Sequence, residues 1–138
     1  MSESACNDMT VSVAAIKDSP LGEELSDAQC EVLAGVMTAC AIKDQAFLIE
    51  EGQKDDTLHI LTKGNMEVVS HTGGGEYVGL QLLRAGDMLG ELGFLDGVEH
   101  SAGLRAMGNC ELIRLDRASF EGLLDKEPEL VYKVMRSI

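Results

Sequence analysis

The chain has 138 residues, 45% of them hydrophobic, with 24 acidic against 11 basic side chains and a formal charge of −13 at pH 7. That length and apolar content suit one domain with one core, while the charge argues against a surface built to hold a nucleic-acid backbone. No run approaches the roughly 18 to 20 apolar residues that cross a bilayer, and residues 1–8 lack the basic and apolar regions of a signal peptide, so a cytoplasmic location without membrane contact is expected.

Residues 1–19 show no sustained period and are expected to form a flexible tail, with a short strand or helix at 11–16 at most. The folded domain is expected over residues 20–138. Ser26 followed by Gln29 is a capping box that opens a helix, with Leu33, Val36, Met37 and Cys40 as its buried stripe and Leu25 and Cys30 as a staple pair.

After Lys43 the helical period gives way to short apolar runs broken by Gly and Asp, which predicts an antiparallel barrel or sandwich. Strands are expected at 41–42, 46–50, 57–63, 65–71, 77–83, 103–107 and 110–116, with turns at Gly52, Gly64 and Gly108. The run Thr72-Gly73-Gly74-Gly75 is followed by the strand formers Tyr77 and Val78 rather than by a helix start, so it reads as a hairpin tip and not a phosphate loop. From Arg117 the helical period returns: one short helix carries Phe120, Leu123 and Leu124, and Pro128 opens another carrying Leu130, Val131, Val134, Met135 and Ile138. That last stripe suits either the barrel or a second copy of the chain.

The four cysteines, Cys6, Cys30, Cys40 and Cys110, form no Cys-x-x-Cys pair and read as free thiols. His59, His71 and His100 stand at no metal-binding spacing, and nothing resembles a nucleophile elbow, so neither a metal site nor catalysis is expected.

The stretch from Gly86 to Ala102 carries the chemistry. Gly90 lets a ligand approach the backbone, and residues 91–95 can form one helical turn whose free amides face an anion. Gly90-Glu91-Leu92-Gly93, then six residues, then His100-Ser101-Ala102 resembles the phosphate-binding cassette of the cyclic nucleotide-binding domains found in catabolite activators, kinase regulatory subunits and nucleotide-gated channels. The family pattern there is Gly-Glu-Leu-(Ala/Gly), six variable residues, then Arg-(Ser/Ala)-Ala. The Glu51-Gly52-Gln53 turn, the strand from Leu58 to Gly64, Arg105-Ala106 and the closing helices from Asp116 extend the likeness over residues 20–138.

The resemblance implies a mainly β fold, an antiparallel β-barrel or jelly roll (double-stranded β-helix) flanked by N- and C-terminal helices. It implies a non-enzymatic regulatory sensor with cyclic AMP or cyclic GMP as ligand and no cofactor. Glu91 would accept from the ribose 2′-hydroxyl, Gly90 and Leu92 would give backbone contacts around the sugar, and Ser101 and the Ala102 amide would donate to the phosphate. His100 departs from the pattern, standing where the family carries an arginine. An ordinary imidazole is only about a quarter protonated at pH 7, and exchanging a charged fork for it costs on the order of 1.5–3 kcal/mol of binding. The alternative reading is a degenerate fold of this family that serves as a protein docking or dimerisation module, with the C-terminal helix as its interface and no nucleotide.

Overall fold

The computed structural model describes residues 9–97 and 99–138. Its order is β1 (Met9–Thr10), α1 (Val13–Lys17), a 3₁₀ turn (Pro20–Glu24), α2 (Asp27–Val36), β2 (Thr38–Ile42), β3 (Phe47–Ile49), β4 (Thr57–His71), β5 (Tyr77–Arg84), β6 (Met88–Leu89), α3 (Glu91–Asp96), β7 (Gly103–Asp116), α4 (Arg117–Glu121) and α5 (Pro128–Ser137). Every strand pairing is antiparallel, in the order β1-β2-β7-β4-β5, with β3 on β7 and β6 on β4. The mainly β architecture with flanking helices is as expected; the sheet folds over on itself without closing.

Strands expected separately at 57–63 and 65–71 are one 15-residue strand, β4, and those at 103–107 and 110–116 are one strand, β7. Glycine reads as a strand breaker in sequence, yet here it bends the ladder and lets it continue. Gly64 takes φ +94°, and the β4–β7 register shifts on both sides of Lys63. Each long strand thereby serves two walls. At the β4–β5 tip the Thr72 amide donates to the Glu76 carbonyl at 2.9 Å, closing the glycine run as a hairpin.

Two cores follow from this bend. Inside the fold, Cys40, Ile42, Ile49, Leu61, Met66, Leu89, Leu104 and Leu112 pack together. Outside it, Ile16, Leu21, Cys30 and Leu33 meet Leu58, Ile60, Ile113 and Leu115 from the sheet and Leu130 and Val134 from α5. The capping box is present: the Gln29 amide donates to Ser26 Oγ at 3.1 Å and the Ser26 amide to Gln29 Oε1 at 3.0 Å.

Three expectations are sharpened or corrected. Within the expected tail, the short strand or helix expected at 11–16 is the helix α1, joined by β1, because Val11 and Ile16 find apolar cover against α2 and the sheet; residues 1–8 lie outside the described residues. The α5 stripe, open to either surface in sequence, is covered by the chain itself: Leu130, Val131 and Val134 are buried while Tyr132 and Met135 face solvent. Cys30 and Cys110 are buried free thiols and Cys6 lies outside the described residues, but Cys40 is disulfide-bonded, a pairing that spacing along the chain does not encode. No described helix is long and apolar enough to cross a membrane.

A Cβ at position 64 would come within 2.7 Å of the Asn109 carbonyl oxygen, on a backbone turned to positive φ. Gly64→Ala is therefore expected to cost about 1–3 kcal/mol, read as a fall of several degrees in the thermal midpoint by circular dichroism.

Candidate ligand-binding site

The two ends of the cassette meet across one cavity of about 290 Å³. From one side come Gly90 and Glu91, at the start of α3; from the other come His100, Ser101 and Ala102, just before β7. Val68, Leu83, Met88, Leu89 and Leu104 form an apolar wall, with Gln81 beside them. These wall residues come from β4, β5, β6 and β7 and were not singled out by sequence; only the pairing of strands brings them to the cassette. Leu92 follows Glu91 in α3, and its side chain lies outside the described residues.

Local geometry explains how the cassette is held. Gly90 caps α3 at φ +80°, and a Cβ on Gly93 would stand 2.2 Å from the Asp55 carbonyl oxygen, so the helix backbone rests directly on the chain leading into β4. The His100 amide donates to the Gln53 carbonyl at 3.0 Å and its own carbonyl accepts from Gly52 at 2.8 Å, pinning the far side of the pocket to the 51–53 turn.

The Glu91 side chain is half-buried and makes no hydrogen bond or ion pair among the described residues. Its carboxylate thus caps no local amide. Ser101 is exposed at the pocket with its hydroxyl likewise unengaged. The His100 ring lies against the start of α3, with Cε1 3.6 Å from the place a Cβ on Gly90 would take, and its Nε2 is buried without a partner. Arg105 offers no substitute for the family's arginine. It bonds Glu67 at 3.3 Å and sits over the Phe47 and Tyr77 rings, 5.9 and 5.6 Å from their centroids.

Beneath the cassette lies a pair that no motif announces: His59 Nε2 stands 3.2 Å from Asp55 Oδ2, with the His59 side chain 3% exposed. The Asp55 Oδ1 atom also accepts from the Thr57 amide at 3.0 Å. Burial drives the His59 imidazole below its ordinary value, outweighing the upward pull of Asp55, while Arg114 and His100 add a smaller push downward. For Asp55 burial acts upward, but hydrogen bonds from His59 and Thr57 prevail and hold the carboxyl below the usual range. An i, i+4 spacing suggests a helix face, whereas these two residues meet at the entry to a strand.

The cassette also touches the C-terminal helices. The Arg117 guanidinium donates to the carbonyls of Phe94 and Leu95 at 3.4 and 3.1 Å, capping the end of α3, and the Phe94 and Phe120 rings lie 5.1 Å apart. Further along, Lys133 on α5 bonds Gln29 on α2 at 3.2 Å, and Arg136 pairs with Glu24.

The model of the cyclic nucleotide-binding domain family matches residues 40–127. The chain belongs to the cyclic nucleotide-binding domain family. It is similar to the cAMP-activated global transcriptional regulator CRP of Salmonella typhimurium, with 34% identity over 91 residues that cover 65% of this chain and 43% of that protein. The chain thus spans less than half the length of that curated relative. Among solved structures, a cyclic nucleotide-binding domain from Methylobacillus flagellatus superposes with a TM-score of 0.78 at 23% identity, over 91% of this chain and 70% of that one. The regulatory subunit of a cAMP-independent protein kinase A from Trypanosoma cruzi, bound to guanosine, gives a TM-score of 0.71 at 23% identity over 90% of this chain and 43% of that one. At that identity the two structural likenesses speak for the fold.

Because the folded state holds His59 below the ordinary imidazole value of 6.5, the unfolded chain takes up a proton that the fold refuses. The stability is therefore complete above that value and is lost as pH falls toward the folded-state value. The urea midpoint is expected to drop between pH 7 and pH 5, and His59→Gln to flatten that drop. Asp55 acts in a separate window, with its contribution lost below its ordinary value of 3.8.

Proposed function

We propose that this domain is a non-enzymatic regulatory sensor whose pocket takes a ribose-bearing ligand, a cyclic nucleotide in the family's usual manner. The observation that carries this reading is the unengaged Glu91 carboxylate, which faces the same cavity as the free Ser101 hydroxyl and the Ala102 backbone. The carboxylate, at the first position of α3, offers two oxygens with lone pairs to a hydroxyl. Glu91 accepts from the ribose, Gly90 and the Leu92 backbone frame the sugar, Ser101 and the Ala102 amide receive the phosphate end, and His100 takes the arginine's place there. That a neighbour of the same fold is described with guanosine supports a pocket in which the sugar and base, and not the phosphate alone, carry recognition.

The output runs through Arg117 and Phe120. Ligand that orders α3 strengthens a helix whose C-terminal carbonyls are already bonded by Arg117, and α4 and α5 follow. On saturation, amide exchange in residues 117–137 is expected to slow; unchanged exchange there would remove this route of transmission.

Ligand at about a hundred times its dissociation constant adds roughly 2.7 kcal/mol of stability, a rise of several degrees in the melting midpoint for a chain of this size. A panel of cyclic AMP, cyclic GMP and cyclic dinucleotides at millimolar concentration is expected to produce that rise with the wild type and not with Glu91→Gln. His100 is the one basic side chain among the described residues that line the pocket, so the panel is run at pH 6 and at pH 8. No rise with any nucleotide at either pH would leave a docking module as the account of the fold.

A further inference from the structure

Among the described residues that line the cavity there is no lysine and no arginine, and the one acidic side chain is Glu91. The nearby Arg105 bonds Glu67 and sits over two aromatic rings, and it is not among the described residues that line the cavity. The molecule around it carries a formal charge of −13. Helix α3, at six residues, is too short to bring a sizeable dipole of its own. A phosphate monoanion entering this pocket would give up water and meet no fixed positive charge, with a carboxylate across the cavity.

The remaining chemistry suits a neutral ligand better. Val68, Leu83, Leu89 and Leu104 offer an apolar wall to a flat base, Gln81 a hydrogen-bonding edge, and Glu91 an acceptor for a sugar hydroxyl. The volume of about 290 Å³ stands at the small end of the roughly 300–1,000 Å³ usual for organic ligands. At the other end of the pocket, Ser101 and the His100 ring can exchange hydrogen bonds with an uncharged 5′-hydroxyl without a counter-charge.

We infer that, at neutral and alkaline pH, this pocket selects an uncharged ribonucleoside over the corresponding 3′,5′-cyclic monophosphate. The inference rests on the reading of Glu91 and its neighbours as a ribose site, and it names the ligand class for that site. The position of His100 decides the choice: the side chain that gives the family its fixed positive charge is absent, and no lysine or arginine is among the described residues that line the cavity.

Isothermal titration of the full chain at pH 8 with adenosine, guanosine and their 3′,5′-cyclic monophosphates tests this, alongside Glu91→Gln and His100→Arg. The nucleoside is expected to bind about tenfold or more tightly than its cyclic phosphate, the scale of one charge-assisted hydrogen bond. Restoring the fixed charge with His100→Arg is expected to reverse the order, and Glu91→Gln to weaken both ligands. A wild-type chain that binds the cyclic phosphate as tightly as the nucleoside, or more tightly, overturns the inference while leaving the ribose site standing. An unchanged order in His100→Arg also overturns it, because the missing charge would then not govern the choice. Failure of the wild type to bind any of the four ligands overturns the ribose site and this inference together.

Discussion

The antiparallel ladder between β4 and β7 is the constraint on which the rest of the molecule depends. It runs from Thr57 opposite Asp116 to Val69 opposite Gly103, and the bend at Gly64 lets one pair of strands form both the floor beneath the helices and the wall of the cavity. At one end of the ladder His59 stands opposite Arg114 and under the cassette; at the other, Val68 stands opposite Leu104 in the pocket wall. Both cores draw on the same two strands, so burying the apolar surface and building the pocket are one event.

Electrostatics then divide the site into two levels. Below the cassette, Asp55 pairs with Nε2 of the buried His59, where a hydrogen bond to a charged acceptor is worth more than at the surface, while His59 Nδ1 is buried without a partner. Above it, the pocket is open to water and its described lining holds a carboxylate, a hydroxyl and a histidine with no lysine or arginine. Gly93 stands between the levels: with no side chain, it allows α3 to rest on the Asp55 carbonyl, so the Glu91 backbone is placed by contact with the same residue that pairs with His59.

The cassette is also the joint between barrel and helices. Arg117 caps α3 from the first turn of α4, and Phe94 reaches from α3 to Phe120. α5 is in turn tied to α2 through Gln29. A change in α3 therefore meets packed side chains in the direction of the C terminus, and interiors of this density transmit displacement rather than absorb it.

Much of this was legible in the sequence, because local physics decides it. The Ser26 and Gln29 side chains cap a helix wherever it lies, alternating runs form strands, and the spacing from Gly90 to Ala102 carries the family's cassette. Of the six residues picked out there, Gly90, Glu91, His100, Ser101 and Ala102 line a single cavity, and the side chain of Leu92 lies outside the described residues. What the sequence left undetermined were contacts whose partners are far apart along the chain or whose geometry contradicts their spacing. No motif announces the pairing of Asp55 with His59 at a strand entry; Arg105 follows the cassette and is drawn to Glu67 across the ladder; the α5 stripe has no address until the first core exists. Period and capping are properties of neighbouring residues and are written in the sequence itself, whereas burial, charge pairing and the emptiness of a pocket of fixed cations are decided only when the ladder brings distant segments together.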